Sequence, residues 1–196
     1  IFGTEQCYSF GESVSINAAG NIIAIGSYDS DMYFNDAGLV RLFEYDGFSW
    51  SQIGQDLFSQ QGNTMGTVSL NNLGDIVVIG SKGGQKISAY QYTSSSWNQM
   101  GSEIIDSNPN SNFGISVSIS NDGYTIAGGA SGSGYASIYF WDGFNWIQKG
   151  QNIVMQASAG QSISLNSDGD IIAIGEPGND KVEVFIWNGT IWNQLG

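Results

Sequence analysis

Short runs in which Ser or Thr alternates with Val, Ile or Leu recur along this chain. Each is followed by a Gly-containing turn and then by an almost wholly apolar run closed by Gly. The pattern is clearest from Phe10 to Gly26 and returns from Met65 to Gly80, Phe113 to Gly128 and Gly160 to Gly175. Strict alternation places the two residue kinds on opposite faces of a strand, so Ser13–Ile16, Thr67–Leu70, Ser116–Ile119 and Ser162–Leu165 are predicted first strands. Second strands follow at Ile22–Ile25, Ile76–Ile79, Tyr124–Ala127 and Ile171–Ile174, apolar on both faces as a strand buried between two layers must be.

A third strand is predicted at Val40–Tyr45, Ile87–Tyr92, Ala136–Trp141 and Val182–Trp187. A fourth begins at Trp50, Trp97, Trp146 and Trp192, each opening a Trp-x-Gln-x-Gly unit. Asp46-Gly47, Asp142-Gly143 and Asn188-Gly189 supply hairpin turns between strands three and four. No segment carries a capped helical period, so the fold class is all-β. Turn glycines at Gly20, Gly74, Gly123 and Gly169 are spaced by 54, 49 and 46 residues. Four-stranded units at that period are the blades of a β-propeller. The prediction is a four-bladed β-propeller with four antiparallel strands per blade, one domain over 1–196. Repeats span about 10–57, 64–104, 113–154 and 160–196, with 1–9 closing the ring and Ile1-Phe2 set beside Leu195-Gly196.

Charge narrows the partners. A formal net charge of −13 with five basic residues repels phosphate backbones, which excludes nucleic acid. No apolar run approaches the length that spans a bilayer, so no membrane insertion is expected. Cys7 is the only cysteine and forms no internal disulfide. The chain has no His, which removes the commonest general base and transition-metal ligand. Only a carboxylate mechanism is then open, and Glu5, Glu12, Glu44, Glu103, Glu176 and Glu183 occupy scattered repeat positions. The expectation is that the protein is not an enzyme.

Phe10-Gly11 and Phe113-Gly114 opening a repeat, and Ile174-Gly175-Glu176-Pro177 closing a second strand, resemble the FG-GAP repeat of integrin-α-like propellers. Met65-Gly66 and Ala159-Gly160 stand in place of Phe-Gly in the other repeats. The resemblance implies a secreted or surface-displayed protein, and it brings in calcium, which some family members bind in a longer Asp/Asn-rich loop. Here that loop is reduced to Asn17-Ala18-Ala19-Gly20-Asn21 and its equivalents, and only Asn166-Ser167-Asp168-Gly169-Asp170 keeps an acidic character. Calcium needs six to eight oxygens, so no cofactor is expected.

Trp50, Trp97, Trp146 and Trp192 fill one repeat position, and Tyr45, Tyr92, Trp141 and Trp187 another, which reads as packing. Departures from the repeat are more informative. The loop from Gly26 to Gly38 is the longest link between second and third strands and holds Tyr28, Asp29, Asp31, Tyr33, Phe34 and Asp36. Irregular loops on a rigid scaffold are common binding sites. One reading makes these residues a partner contact with Tyr33 and Phe34 as anchors; the other makes the loop an insertion whose aromatics tuck onto the blade edge. Asn188-Gly189-Thr190 is a glycosylation sequon. The function expected from these features is a non-enzymatic extracellular or cell-surface module that binds a protein partner. The alternative is a lectin-like propeller binding a glycan, and self-association is a further expectation.

Overall fold

The computed structural model describes residues 1–3, 9–28, 30–60, 62–156 and 158–196. The first sheet, blade 1, holds β1 (Ser13–Ile16), β2 (Ile22–Ser27), β3 (Leu39–Tyr45), β4 (Trp50–Gln52) and β5 (Leu57–Phe58). Blade 2 holds β6 (Met65–Leu70), β7 (Ile76–Ser81), β8 (Lys86–Thr93), β9 (Ser96–Gln99) and β10 (Ile104–Ile105). Blade 3 holds β11 (Phe113–Ile119), β12 (Thr125–Ala130), β13 (Tyr135–Trp141), β14 (Trp146–Gln148) and β15 (Ile153–Val154). Blade 4 holds β16 (Ser162–Leu165), β17 (Ile171–Glu176), β18 (Lys181–Trp187) and β19 (Trp192–Gln194). Every pairing within a sheet is antiparallel, and the only helical turn among the described residues is a 3₁₀ turn at Pro177–Asn179. The predicted class, all-β with four propeller blades, is the observed one.

The fourth strand of blades 1 to 3 is broken, which the sequence pattern did not show. In blade 1, β4 and β5 both pair with β3, and between them the chain bulges around Gly54. Gly54, Gly101 and Gly150 hold this bulge at φ of 70°, 65° and 79°. The following blade's indole also leaves no room there: a Cβ on Gly54 would meet Trp97 Cδ1 at 2.5 Å. Both constraints explain the Gly that ends the Trp-x-Gln-x-Gly unit in blades 1 to 3.

The core lies between blades. Ala24, Val40 and Leu42 of blade 1 pack on Val68, Leu70, Val77 and Ile79 of blade 2. Ile76, Val78 and Ile87 face Val117, Ile119 and Ile126 across the next junction, and Ala127 and Ile138 face Ile163, Ile172 and Ile174 across the third. The Ser/Thr face of the first strand in blades 1 to 3 looks toward the following blade. Ser13 and Ser15 hydroxyls accept the N–H groups of Val68 and Leu70 at 3.1 and 2.9 Å, and Ser118 accepts that of Leu165 at 2.9 Å. Both aromatic columns pack as expected, as pairs with centroids 5.1 to 5.5 Å apart.

Closure of the ring by blades 1 and 4 is not what the structure holds. Val182 is 67% exposed, although its equivalents Val40, Ile87 and Ala136 are wholly buried. Val14 and Ile16 are 59% and 56% exposed, although Val68 and Leu70 are buried. Phe2 and Leu195, expected to meet, are both exposed. Among the described residues, the four blades form an arc with an uncovered apolar face at each end. The part of the expected closing segment at 4–8 lies outside the described residues.

Candidate functional site

Alternate residues of each third strand share one face, and the bulge in strand four carries an Asp, Glu or Asn back over them. In blade 1, Arg41 donates from Nε and a terminal nitrogen to the two Asp56 oxygens at 2.9 and 2.8 Å. Gln52 and the Tyr33 hydroxyl also donate to Asp56, at 2.7 and 3.0 Å. Burial works to raise the Asp56 pKa, but the bonds from Arg41, Gln52 and Tyr33 outweigh it and hold the carboxyl below its ordinary range. In blade 3 the same position is Asn152, which accepts from Ser137 Oγ at 2.9 Å and Gln148 Nε2 at 2.6 Å.

Blade 2 differs from both. Lys86 Nζ donates to Glu103 Oε1 at 2.7 Å, and Ser88 Oγ approaches the same oxygen at 3.5 Å. This pair sits in a groove of about 310 Å³ with Tyr90, Gln99, Phe34 and Phe58 among its walls. The Glu103 carboxylate is partly open to solvent while Lys86 is held against the blade. Burial, and then the Glu103 charge, raise the Tyr90 pKa, which keeps that phenol neutral and able to donate. A smaller groove of about 210 Å³ follows in blade 3 beside Asp106, Tyr135 and Asn152. There Tyr135 donates to Asp106 at 2.6 Å, and burial, then that bond, push the phenol far above its ordinary pKa.

The loop residues proposed from sequence are divided by the structure. Tyr33 stacks on Phe58 with centroids 3.8 Å apart, and Phe34 lies against the same ring at 6.4 Å, so both fold onto the blade edge. Phe34 remains 51% exposed and forms a wall of the blade 2 groove. Tyr28 turns away toward blade 2, where its hydroxyl meets Thr67 Oγ1 at 2.8 Å and Lys82 lies over its ring. Asp31 accepts the Asp36 N–H at 2.8 Å, which closes the loop on itself. Asp29 lies outside the described residues. Asn188 spends its side-chain oxygen on the N–H groups of Thr190 and Ile191, both at 2.9 Å, within the β18–β19 turn. Sequence reasoning missed Lys86, Tyr90 and Gln99, and did not separate Glu103 from the other acids. Lys86 and Glu103 are 17 residues apart, and only the returning bulge joins them.

No protein-family model matches the sequence, and no curated protein matches it. Solved structures do resemble it. A Bacteroides uniformis protein provisionally named a 6-phosphogluconolactonase matches with a TM-score of 0.70 and 10% identity over 93% of this chain and 52% of its own. A Bacteroides fragilis protein with the same provisional name gives the same figures. The β-propeller domain of Myceliophteria thermophila Cps50 (Swd1) matches with a TM-score of 0.62 and 10% identity over 88% of this chain and 52% of that one. The chain therefore spans about half the length of these structures. The likeness is one of β-propeller fold, and nothing in it singles out the FG-GAP type.

These comparisons correct the expected function. The expectation of a non-enzymatic extracellular binding module is overturned by neighbours that carry an enzyme's name, and none of the comparisons supports such a module. The activity named belongs to those proteins. The missing His had weighed against catalysis, but tertiary pairing supplies a carboxylate and an ammonium side by side in an open groove.

Proposed function

We propose that this chain is a hydrolase for an uncharged, polyhydroxylated cyclic ester, of the sugar-lactone class, acting in the blade 2 groove. The observation that carries the reading is the Lys86–Glu103 pair at 2.7 Å, in a groove that Phe34, Phe58, Tyr90 and Gln99 also line. The groove is at the lower end of the size range of small-molecule sites, about 300 to 1,000 Å³. The names of the Bacteroides neighbours supply the reaction class. A phosphorylated lactone, as those names imply, is disfavoured here. The net charge of −13 opposes it, and the Lys86 charge is already answered by Glu103.

In this reading Glu103 takes a proton from a water molecule as its oxygen attacks the ester carbonyl carbon. Lys86 donates to the carbonyl oxygen as negative charge gathers on it. Collapse of the tetrahedral species breaks the ring C–O bond, and the departing alkoxide takes the proton back from Glu103, leaving an open-chain hydroxy acid. Phe34 and Phe58 offer faces for a sugar ring, while Tyr90 and Gln99 serve its hydroxyls. The test is ring opening of glucono-δ-lactone followed by alkali uptake at constant pH. The wild-type chain is expected to exceed the spontaneous rate, and Glu103→Gln to lose about 100-fold or more of that excess with unchanged circular dichroism. A wild-type rate no faster than buffer would overturn the proposal.

The FG-GAP-like character of the repeat is also proposed. Its support is the Phe113-Gly114 corner, where Phe113 is buried and the Gly114 carbonyl rests directly on Gly80 of the preceding blade.

A further inference from the structure

Each internal junction is built from the same stitches. The corner residues Met65, Phe113 and Ala159 are buried against the preceding blade, and the glycine after each lays its carbonyl on Gly26, Gly80 or Gly129. A Cβ at any of those three glycines would collide with that carbonyl oxygen. Indole N–H groups reach back across the junction: Trp97 to Ile53 O at 3.1 Å, Trp146 to Met100 O at 2.9 Å and Trp192 to Lys149 O at 2.7 Å. Near the axis, the N–H of Ala18 meets Asn72 O, that of Asn72 meets Asn121 O, and that of Asn121 meets Ser167 O, at 3.1, 3.1 and 2.9 Å.

The two ends of the arc hold the unmatched halves of every stitch. On blade 4, Gly175 has no atom of another blade among the described residues within 4 Å of a Cβ position; its nearest neighbour there is Ser162 of its own blade at 3.5 Å. Beside it opens a trough of about 570 Å³ lined by Gln161, Ser162, Gly175, Glu176, Lys181 and Val182. On blade 1, Phe10 and Gly11 occupy the corner position, with nothing within 4 Å of a Cβ on Gly11. Val14 and Ile16 stand exposed behind them. End repeats of solenoid-like arrays normally carry a polar outer face, and large exposed apolar faces mark interaction sites.

We propose that a second copy of this chain covers both faces, blade 4 of each copy docking on blade 1 of the other. Each face is the complement of the opposite face of the same chain, because internal junctions join that same pair of surfaces. Phe10 of the incoming copy enters the trough beside Val182, and the Gly11 carbonyl seats on Gly175. The Ile16 N–H meets the Ser164 hydroxyl, Trp50 Nε1 meets Leu195 O, and the Ser167 N–H meets Ala18 O. Two such junctions related by a twofold axis make a closed assembly with no surface left over. The size agrees, since one chain spans 52% of the Cps50 propeller domain and a second supplies the remainder.

Light scattering after size exclusion, across a range of concentrations, tests this. The expected result is one species of twice the 21.0 kDa chain mass. Val182→Asp alters an exposed position and Phe10→Asp a half-buried one at the outer corner of blade 1, so each is expected to give a folded monomer, checked by circular dichroism. Mixing the two variants restores one intact junction and should return a heterodimer, which separates head-to-tail docking from any like-to-like contact. A wild-type monomer at the highest soluble concentration would overturn the proposal and assign the faces to blades on another polypeptide. Open-ended polymers, or variants that fail to complement, would overturn the closed pair.

Discussion

The three internal junctions and the two terminal faces use equivalent residues with opposite outcomes. Val40, Ile87 and Ala136 have no exposed surface, whereas Val182, at the same position of the third strand, keeps 67% of its own. Gly26, Gly80 and Gly129 are pressed against a neighbouring carbonyl, whereas Gly175 faces open space. The difference does not come from the strands, which pair within blade 4 as they do in blade 3. A blade's hydrogen-bonded sheet is complete in itself, and the stability of the array comes from what lies between sheets. Position in the array, rather than residue type, decides how much a side chain contributes.

Breaking that comparison gives its largest effect at the glycines. Gly80→Ala forces the blade 2–blade 3 junction apart and should cost about 3 kcal/mol or more in urea unfolding. Gly175→Ala, measured at dilution where copies are separate, should change stability by less than about 0.5 kcal/mol. Equal costs at the two positions would erase the distinction between inner and outer faces. Next in size, Ile87→Ala removes a fully buried side chain and should lower stability by about 2 to 5 kcal/mol. Val182→Ala under the same dilute conditions should fall within about 0.5 kcal/mol of wild type. A smaller contrast concerns one hydrogen bond. Trp146→Phe leaves Met100 O without its indole donor and should cost about 1 kcal/mol beyond the volume lost, a term absent from Trp50→Phe in the dilute chain.

The smallest expected effect sharpens the comparison among the outer bulges. The Asp56 carboxyl is held below its ordinary value near 3.8, so it favours the folded state above that pH. That contribution declines as pH falls through 3.8 and toward the lower folded-state value. Folding stability followed by tryptophan fluorescence should therefore fall less steeply with decreasing pH across that window in Asp56→Asn than in wild type. Blade 3, whose equivalent is the uncharged Asn152, should show no matching change on Asn152→Ala.

Much of the fold was legible because it depends on local period. Ser13–Ile16 and Ser162–Leu165 form first strands with the predicted ends, since alternation and a flanking turn suffice to define them. Phe113–Ile119 begins earlier than its alternating run, because a bulge between Phe113 and Ser116 carries the corner residue into the sheet. The candidate site was barely legible. Tyr33 and Phe34 stood out as a departure from the repeat, but their common partner is Phe58, 25 and 24 residues further on. Lys86 and Glu103 gave no signal, because nothing along the chain shows that a bulge at Gly101 returns Glu103 over β8.

The amino-acid sequence by itself determined the number of blades, the strands within each and the faces those strands bury, since period-two patterning and turn chemistry act over a few residues. Only the tertiary structure decided that the arc stays open, that the Phe34 ring borders a groove of the next blade, and that one acid among many meets an ammonium. Those outcomes depend on the small rotation between successive sheets and on where a broken edge strand re-enters. Both are properties of packed blades, and a repeat written in one dimension carries neither.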